Sequence, residues 1–543
     1  MKLQFPRKWR RQTPIFLIGL ILFGVGVLGF GFEAWQTKQN QLSNMLSSEV
    51  LLMSTIETDA LVDIPESDLE NYLPAWMGDV ALKNESLKKW LGKEVALIVA
   101  GEADFVIGAR YRNKSAMKDW LETSLLENET FTVTKTEKGE LWSPSISSSQ
   151  VFLVTKKWVF ASSSLTAIQS VFAEGQTLAD SNRYKEAFGD LSSKQSMRLY
   201  VNLEDYLSTL ISDERFAVYG PMLSALGQTF TDLGLVAEND ENQWQVNSQF
   251  VLSDEVKGKM EAAGKIKNTT VPDLAHYSPS QPLLFINGQD LNQRYLYTKM
   301  LLAELNPQFE LIFDGLLRAQ VTRWLGEGVD FEKDVLQAID GPYSLTFDYN
   351  KGLNWLFVTE GQAGKDIQDL IKTAQGQFSP RVETVELPDG TTREQLVAVP
   401  GSAVEIETVT ANGFTYSKTS SSGLNQGKMA FINQGQYFLL ASNSDLLESA
   451  LTASSSENAS LATNEDFRKA VLFKLGKAES FVFLNQDKLK KALEPLIVLE
   501  EEVSAASGPS WWQEITKLPI RNLILSRRVE TGKVMVKWLF FMN

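Results

Sequence analysis

A few residues have the types and spacing of known chemistry. Ser115-Ala116-Met117-Lys118 and Ser86-Leu87-Lys88-Lys89 set a hydroxyl and an amine three positions apart, the spacing in which a lysine activates a serine nucleophile. The Lys-Thr-Gly and Ser-Asp-Asn segments that accompany such a site are absent, so chance spacing in a serine-rich chain accounts for both matches. Gly24-Val25-Gly26-Val27-Leu28-Gly29 has the form G-x-G-x-x-G, which cradles a pyrophosphate only where a strand ends and a helix opens. His276 is the chain's one imidazole, and it lies between Pro272 and Pro279, which favour extended backbone over a rigid catalytic platform.

Other chemistries are excluded by composition. There is no Cys, which removes disulfides, zinc–thiolate sites and thiol nucleophiles. No P-loop, H-E-x-x-H or EF-hand pattern occurs, and Asn239-Asp240-Glu241-Asn242 lacks a twelve-residue calcium register and reads as a hairpin turn. No catalytic residue, cofactor or metal ligand is assigned. The chain is expected not to be an enzyme.

The charge is uneven. Lys2, Arg7, Lys8, Arg10 and Arg11 precede the first apolar run, and taking these five from the net −15 leaves −20 on the remainder. So acidic a body is a poor partner for phosphate backbones, and nucleic-acid binding is not expected.

From Ile15 to Phe32 eighteen residues carry no charge, about 27 Å of helix against a hydrocarbon core of about 30 Å. Trp9 and Trp35 flank the run, and the basic cluster before it predicts a cytoplasmic N-terminus. A cleaved signal peptide would have a shorter apolar stretch and an A-x-A-like site, and Phe32-Glu33-Ala34 is a poor one. The glycine-rich match above falls inside this span and reads as small residues of a transmembrane helix. The sequence thus predicts a single-pass membrane protein, with its body on the far side, in the periplasm or an equivalent lumen.

The body shows internal similarity. Val159-Phe160-Ala161-Ser162 resembles Leu439-Leu440-Ala441-Ser442. Tyr184-Lys185-Glu186-Ala187 matches Phe467-Arg468-Lys469-Ala470, and Tyr200-Val201-Asn202 matches Phe483-Leu484-Asn485, at offsets of 280, 283 and 283. Val50-Leu51-Leu52-Met53 likewise resembles Pro282-Leu283-Leu284-Phe285. A period this long indicates a duplicated domain and not a solenoid. Short apolar runs such as Val95–Val99, Val151–Thr155 and Trp158–Ala161 read as strands, and they alternate with helical segments at Ser115–Leu126 and Leu165–Phe172. Asn202 and Asn485 stand where helix caps stand, and Leu233–Leu252 and Leu523–Phe541 read as hairpins. In Pro307–Gly326, Phe309, Ile312, Phe313, Leu316, Val321 and Trp324 recur at helical spacing and are expected to form a buried face, with a lipid-facing or partner groove as the alternative.

The expected fold is therefore α+β: an N-terminal transmembrane helix and two tandem homologous domains of antiparallel sheets packed with helices. The segments are a basic tip at 1–14, the anchor at 15–35, a first repeat domain at 45–261, a linker at 262–282 and a second repeat domain at 283–543. The anchor layout, the Ala-Ser-Ser and Ala-Ser-Asn strand ends and the Tyr-Val-Asn and Phe-Leu-Asn segments are similar to those of a cyanobacterial membrane-anchored family of unknown function with a duplicated extracytoplasmic region. That resemblance spans the whole chain and implies a thylakoid or plasma-membrane location. It supplies no active site.

Trp511 and Trp512, adjacent and therefore hard to bury on one stripe, are the candidate partner-binding residues. The first functional reading is a non-catalytic membrane-tethered binding or scaffold protein with a protein partner, assisting assembly or maintenance of a membrane complex. The second is a carrier of a lipid, pigment or other apolar ligand. The third is a Ser/Lys hydrolase.

Overall fold

The computed structural model describes residues 42–57, 89–100, 104–125, 131–144, 151–172, 175–191, 196–212, 220–240, 243–263, 273–325, 329–339, 341–349, 353–360, 379–386, 391–399, 405–420, 429–456, 459–472, 478–492, 520–530 and 532–542. The expected anchor at 15–35, its glycine motif, the serine of Ser86–Lys89, and Trp511 and Trp512 lie outside the described residues. The chain packs as two units, one of residues 1–257 with 532–538 and 542–543, the other of residues 258–531 with 539–541.

In the first unit, β-branched and aromatic runs separated by polar turns form β1 (Val50–Glu57), β2 (Leu91–Ala100), β3 (Asp104–Tyr111), β4 (Phe131–Lys135), β5 (Glu140–Pro144), β6 (Val151–Val154), β7 (Trp158–Ser162), β8 (Met197–Asn202), β9 (Phe230–Asp240) and β10 (Gln243–Leu252). Antiparallel pairing arranges them as β4-β5-β6-β7-β3-β2-β1-β8-β9-β10. Helices α1 (Lys114–Trp120), α2 (Leu165–Val171), α3 (Asn182–Phe188), α4 (Leu203–Ile211) and α5 (Gly220–Thr229) lie between strands, followed by α6 (Asp254–Ala263). Trp158, Phe160, Ile168, Tyr184 and Tyr200 pack in one buried core.

In the second unit the strands are β11 (Leu284–Gln289), β12 (Pro342–Tyr349), β13 (Leu353–Glu360), β14 (Ser379–Glu386), β15 (Thr392–Val399), β16 (Glu405–Ala411), β17 (Phe414–Ser420), β18 (Ala430–Gln434), β19 (Tyr437–Ala441), β20 (Ser480–Asn485) and β21 (Ile520–Glu530), and β22 (Lys533–Met542) ends the described chain. They pair as β16-β17-β18-β19-β13-β12-β11-β20-β21, the order of the first nine strands of the first unit, while β14 and β15 form a separate two-stranded ribbon. The helices are α7 (Leu291–Leu305), α8 (Pro307–Leu325), α9 (Ser444–Ser455) and α10 (Glu465–Leu472).

Agreement between the two pairing orders extends to small features. Leu178 donates its amide to the Leu46 carbonyl at 2.8 Å, and Leu461 donates to the Ser278 carbonyl at 2.9 Å. Isolated bridges join Ser47 to Thr177 and Pro279 to Ser460. Asn202 Oδ1 accepts the Asp205 amide at 3.2 Å, and Asn485 Oδ1 accepts the Lys488 amide at 2.9 Å, so both asparagines cap helices.

The expected fold class needs correction. Twenty strands belong to one large antiparallel sheet, not to the separate sheets of two tandem domains, and no helix among the described residues is long and apolar enough to cross a membrane. The chain does not divide cleanly at one linker, because residues 532–538 belong to the first unit. Ser248 Oγ donates to the Val536 carbonyl at 3.1 Å, and the Leu252 amide donates to the Gly532 carbonyl at 2.9 Å. Side-chain alternation marks a strand and its buried face, but it carries no information about which distant segment satisfies a strand's free edge.

Candidate functional site

Helices α7 and α8 form a hairpin whose polar and apolar faces are placed opposite to simple expectation. Along α8 the charged residues Glu310, Asp314 and Arg318 recur every four positions and so share a face. That face turns toward α7 and the segment Phe331–Leu336. Arg318 Nε donates to both oxygens of Asp314 at 2.9 and 2.8 Å, and its Nη2 bonds to Glu332. Tyr295 on α7 donates its hydroxyl to Asp314, and Lys299 lies 3.3 Å from Glu310 and 3.9 Å from Glu332. Burial would raise the Asp314 carboxyl, but hydrogen bonds from Arg318 and Tyr295 and the Arg318 charge carry it below the ordinary carboxylate range. Beside this network, Phe313 and Leu317 pack against the core formed by Tyr295, Val321, Phe331 and Tyr343.

The outward face of α8 carries Phe309, Leu311, Ile312, Gly315, Leu316 and Ala319, with no charge among them. Leu311, Ile312 and Leu316 are exposed to 65, 58 and 61 %, which places three large aliphatic side chains together in solvent. Leu296 on α7 is also exposed. A contiguous exposed apolar patch on a folded surface marks an interaction site, whereas single exposed hydrophobics need no explanation. The expected buried stripe is therefore split. Phe313 and Val321 go inward, Phe309, Ile312 and Leu316 go outward, and the side chain of Trp324 lies outside the described residues. Leu311, the most exposed of the group, was missed, because a charged stripe at helical spacing ordinarily reads as the solvated face. No local signal marks the reversal, because it comes from Tyr295 and Lys299, which reach the charged face from α7.

The residues with possible chemistry are dispersed. Ser115 is exposed, and the Lys118 ammonium is 2.6 Å from Glu140. His276 is exposed on the 3₁₀ turn Asp273–Tyr277, between the buried Ala275 and the half-buried Tyr277. Among the described residues no three His, Asp or Glu side chains converge as metal ligands. In the first unit, Trp90, Trp120 and Trp142 share a buried cluster with Met117 and Phe152, and the indole N–H groups of Trp90 and Trp120 have no acceptor.

These features define an antiparallel β protein with packed helices and an exposed apolar helix face. The chain belongs to the family described as protein of unknown function (DUF3352), whose model matches residues 84–392, more than half of its length. No curated protein matches it in sequence. Among solved structures it is similar at low level to TP0453. Crystal form I matches at 10 % identity and a TM-score of 0.25 over 40 % of this chain and 81 % of that one. Crystal form III matches at 10 % and 0.23, over 43 % and 89 %.

Proposed function

We propose that this protein is a non-catalytic, single-pass membrane protein, anchored by residues 15–35, whose acidic extracytoplasmic body binds a protein partner through the outward face of α8. The observation that carries this reading is the uncharged patch of Phe309, Leu311, Ile312 and Leu316 on a helix whose Glu310, Asp314 and Arg318 are paired within the unit. A protein surface suits this patch better than a lipid surface, because a body of net negative charge is repelled by anionic headgroups. Descent of the two similar strand sets from one duplicated unit, a cyanobacterial origin and a thylakoid or periplasmic location belong to the same reading. Its role would be the assembly or maintenance of a membrane complex.

A photo-crosslinking residue placed at Leu311 of the full-length protein in native membranes tests this. The expected result is a discrete protein adduct that Leu316→Asp abolishes and Val133→Asp, at an exposed residue of β4, leaves intact. Adducts to lipid alone, or an adduct indifferent to Leu316→Asp, would refute it.

A second reading, carriage of an apolar ligand, is favoured by the two unpartnered indole N–H groups of Trp90 and Trp120, since a ligand carbonyl would supply the acceptor that buried tryptophans usually find. Quenching of tryptophan fluorescence by retinol or oleate, lost in Trp120→Phe, would favour carriage over docking.

A further inference from the structure

In the second unit, pairing registers place Tyr343, Gly288, Ser480 and Arg527 in one row across β12, β11, β20 and β21. Residues directly opposite on neighbouring strands share a face, so the four project to the same side. At the corresponding row of the first unit stand Val95, Ile56, Met197 and Ala237. One row is apolar throughout. The other holds a hydroxyl, a glycine, a second hydroxyl and a guanidinium.

Gly288 lets two side chains close over its row. A Cβ there would come within 2.7 Å of the Tyr343 hydroxyl and 3.1 Å of Arg294 Nε, so the Tyr343 phenol and Arg294, from the first turn of α7, lie directly over the glycine. Arg294 Nη2 is bonded to the Glu479 carbonyl, whereas its Nε is sealed from solvent with no acceptor. Arg527 Nε and Nη2 are sealed and unpartnered as well. Those two nitrogens form the side-on edge of the guanidinium, whose parallel N–H bonds match the two oxygens of a carboxylate. Glu479 gives one oxygen to the Val529 amide at 2.9 Å and leaves its other oxygen unbonded, and Asp290 is engaged in capping α7.

Buried charged donors without acceptors are costly and rare, and an absent ion is a standard explanation for them. We propose that the Nε–Nη2 edge of Arg527, together with Arg294 Nε above Gly288, binds the carboxylate of a ligand. Arg294 and Arg527 are only partly buried as residues, although these nitrogens are sealed.

The test is thermal melting of the purified full-length protein against acetate and against N-acetyl-alanyl-alanine, at constant ionic strength set with chloride. Acetamide and the amidated peptide serve as controls. The two acids separate a free small carboxylate from a peptide C-terminus. The expected result is a saturable rise in melting temperature with at least one acid and none with its amide. Arg527→Lys, which keeps the charge and loses the fork, should raise the half-saturating concentration at least tenfold, and Arg294→Gln should do the same. Each variant is compared with its own ligand-free melt, so a change in basal stability does not obscure the result. Absence of a saturable shift in the native sequence would overturn the proposal, as would equal shifts in the native protein and Arg527→Lys. Binding that appears only in Glu479→Gln would overturn it too, since Glu479 would then be the internal partner of Arg527.

Discussion

Arg183 on α3 and Asp466 on α10 occupy corresponding positions, 283 residues apart, and carry opposite charges. Arg183 Nε lies 3.1 Å from both oxygens of Asp232 on β9. Asp466 accepts from Arg521 of β21 at 2.9 Å (Nε) and 2.8 Å (Nη2). Each helix is tied to its strand by an ion pair, with the polarity reversed. In both cases the acid is the buried member and draws further donors. The Tyr200 hydroxyl serves Asp232 at 2.8 Å, and Asn522 Nδ2 serves Asp466 at 2.6 Å. A sealed carboxylate needs several hydrogen bonds, whichever element carries it.

Replacing Arg183 by Leu leaves Asp232 buried without its cation and is expected to cost about 2 kcal/mol, measured by urea unfolding. Arg183→Asp alone should cost more. Combining it with Thr231→Arg and Asp232→Asn reproduces the arrangement around Asp466 and should recover most of that loss. A triple variant no more stable than Arg183→Asp would show that the two sites are not interchangeable.

Gly234 on β9 lets α3 sit directly on the sheet, because a Cβ there would fall 2.0 Å from the Ala187 carbonyl oxygen. Gly234→Ala should therefore destabilise by about 3 kcal/mol. Gly258, in α6, has nothing within 4 Å of its virtual Cβ, and Gly258→Ala should stabilise by about 0.5–1 kcal/mol through helix propensity. Melting temperatures of the two variants should move in opposite directions.

Two residues of α8 five positions apart should respond differently to truncation. Leu316→Ser, on the exposed face, should change stability by less than about 0.5 kcal/mol. Val321→Ala, in the buried cluster, should cost about 2 kcal/mol. Equal effects in chemical denaturation would mean that the outward face is covered within the chain.

The network around Asp314 sets a pH dependence. Its carboxyl titrates below the ordinary 3.8 when folded, so in acid the unfolded chain takes up the proton first. The contribution is complete above the ordinary value and is lost as pH falls through the lowered one. Asp314→Asn should flatten the acid side of the stability curve below about pH 4 and leave the neutral slope unchanged. An unaltered acid limb would remove Asp314 from the linkage.

Much of the local structure was legible from the sequence. The strands at Val151–Val154 and Trp158–Ser162, helix Leu165–Val171 and the caps at Asn202 and Asn485 follow from patterning and from residues that compete for backbone donors. The joining of the strands into one sheet did not follow, because it depends on where residues 532–538 go. The facing of α8 was equally hidden. Glu310, Asp314 and Arg318 look solvated until Tyr295, Lys299 and Glu332 are placed against them. Arg527 gave no sequence signal, since its meaning comes from alignment with Gly288 across strands distant in sequence.

Assignment of residues 532–538 to the first unit also bears on synthesis. From residue 257, where the main segment of that unit ends, the ribosome must add some 275 more residues before Gly532 emerges. At about 5–20 residues per second this is a wait of roughly 14–55 s, long compared with strand pairing. Throughout it Ser248 and Leu252 on β10 lack the carbonyls of Val536 and Gly532. The nascent chain therefore carries an open strand edge for about half of its translation, and a holdase that recognises such edges would protect it during that interval.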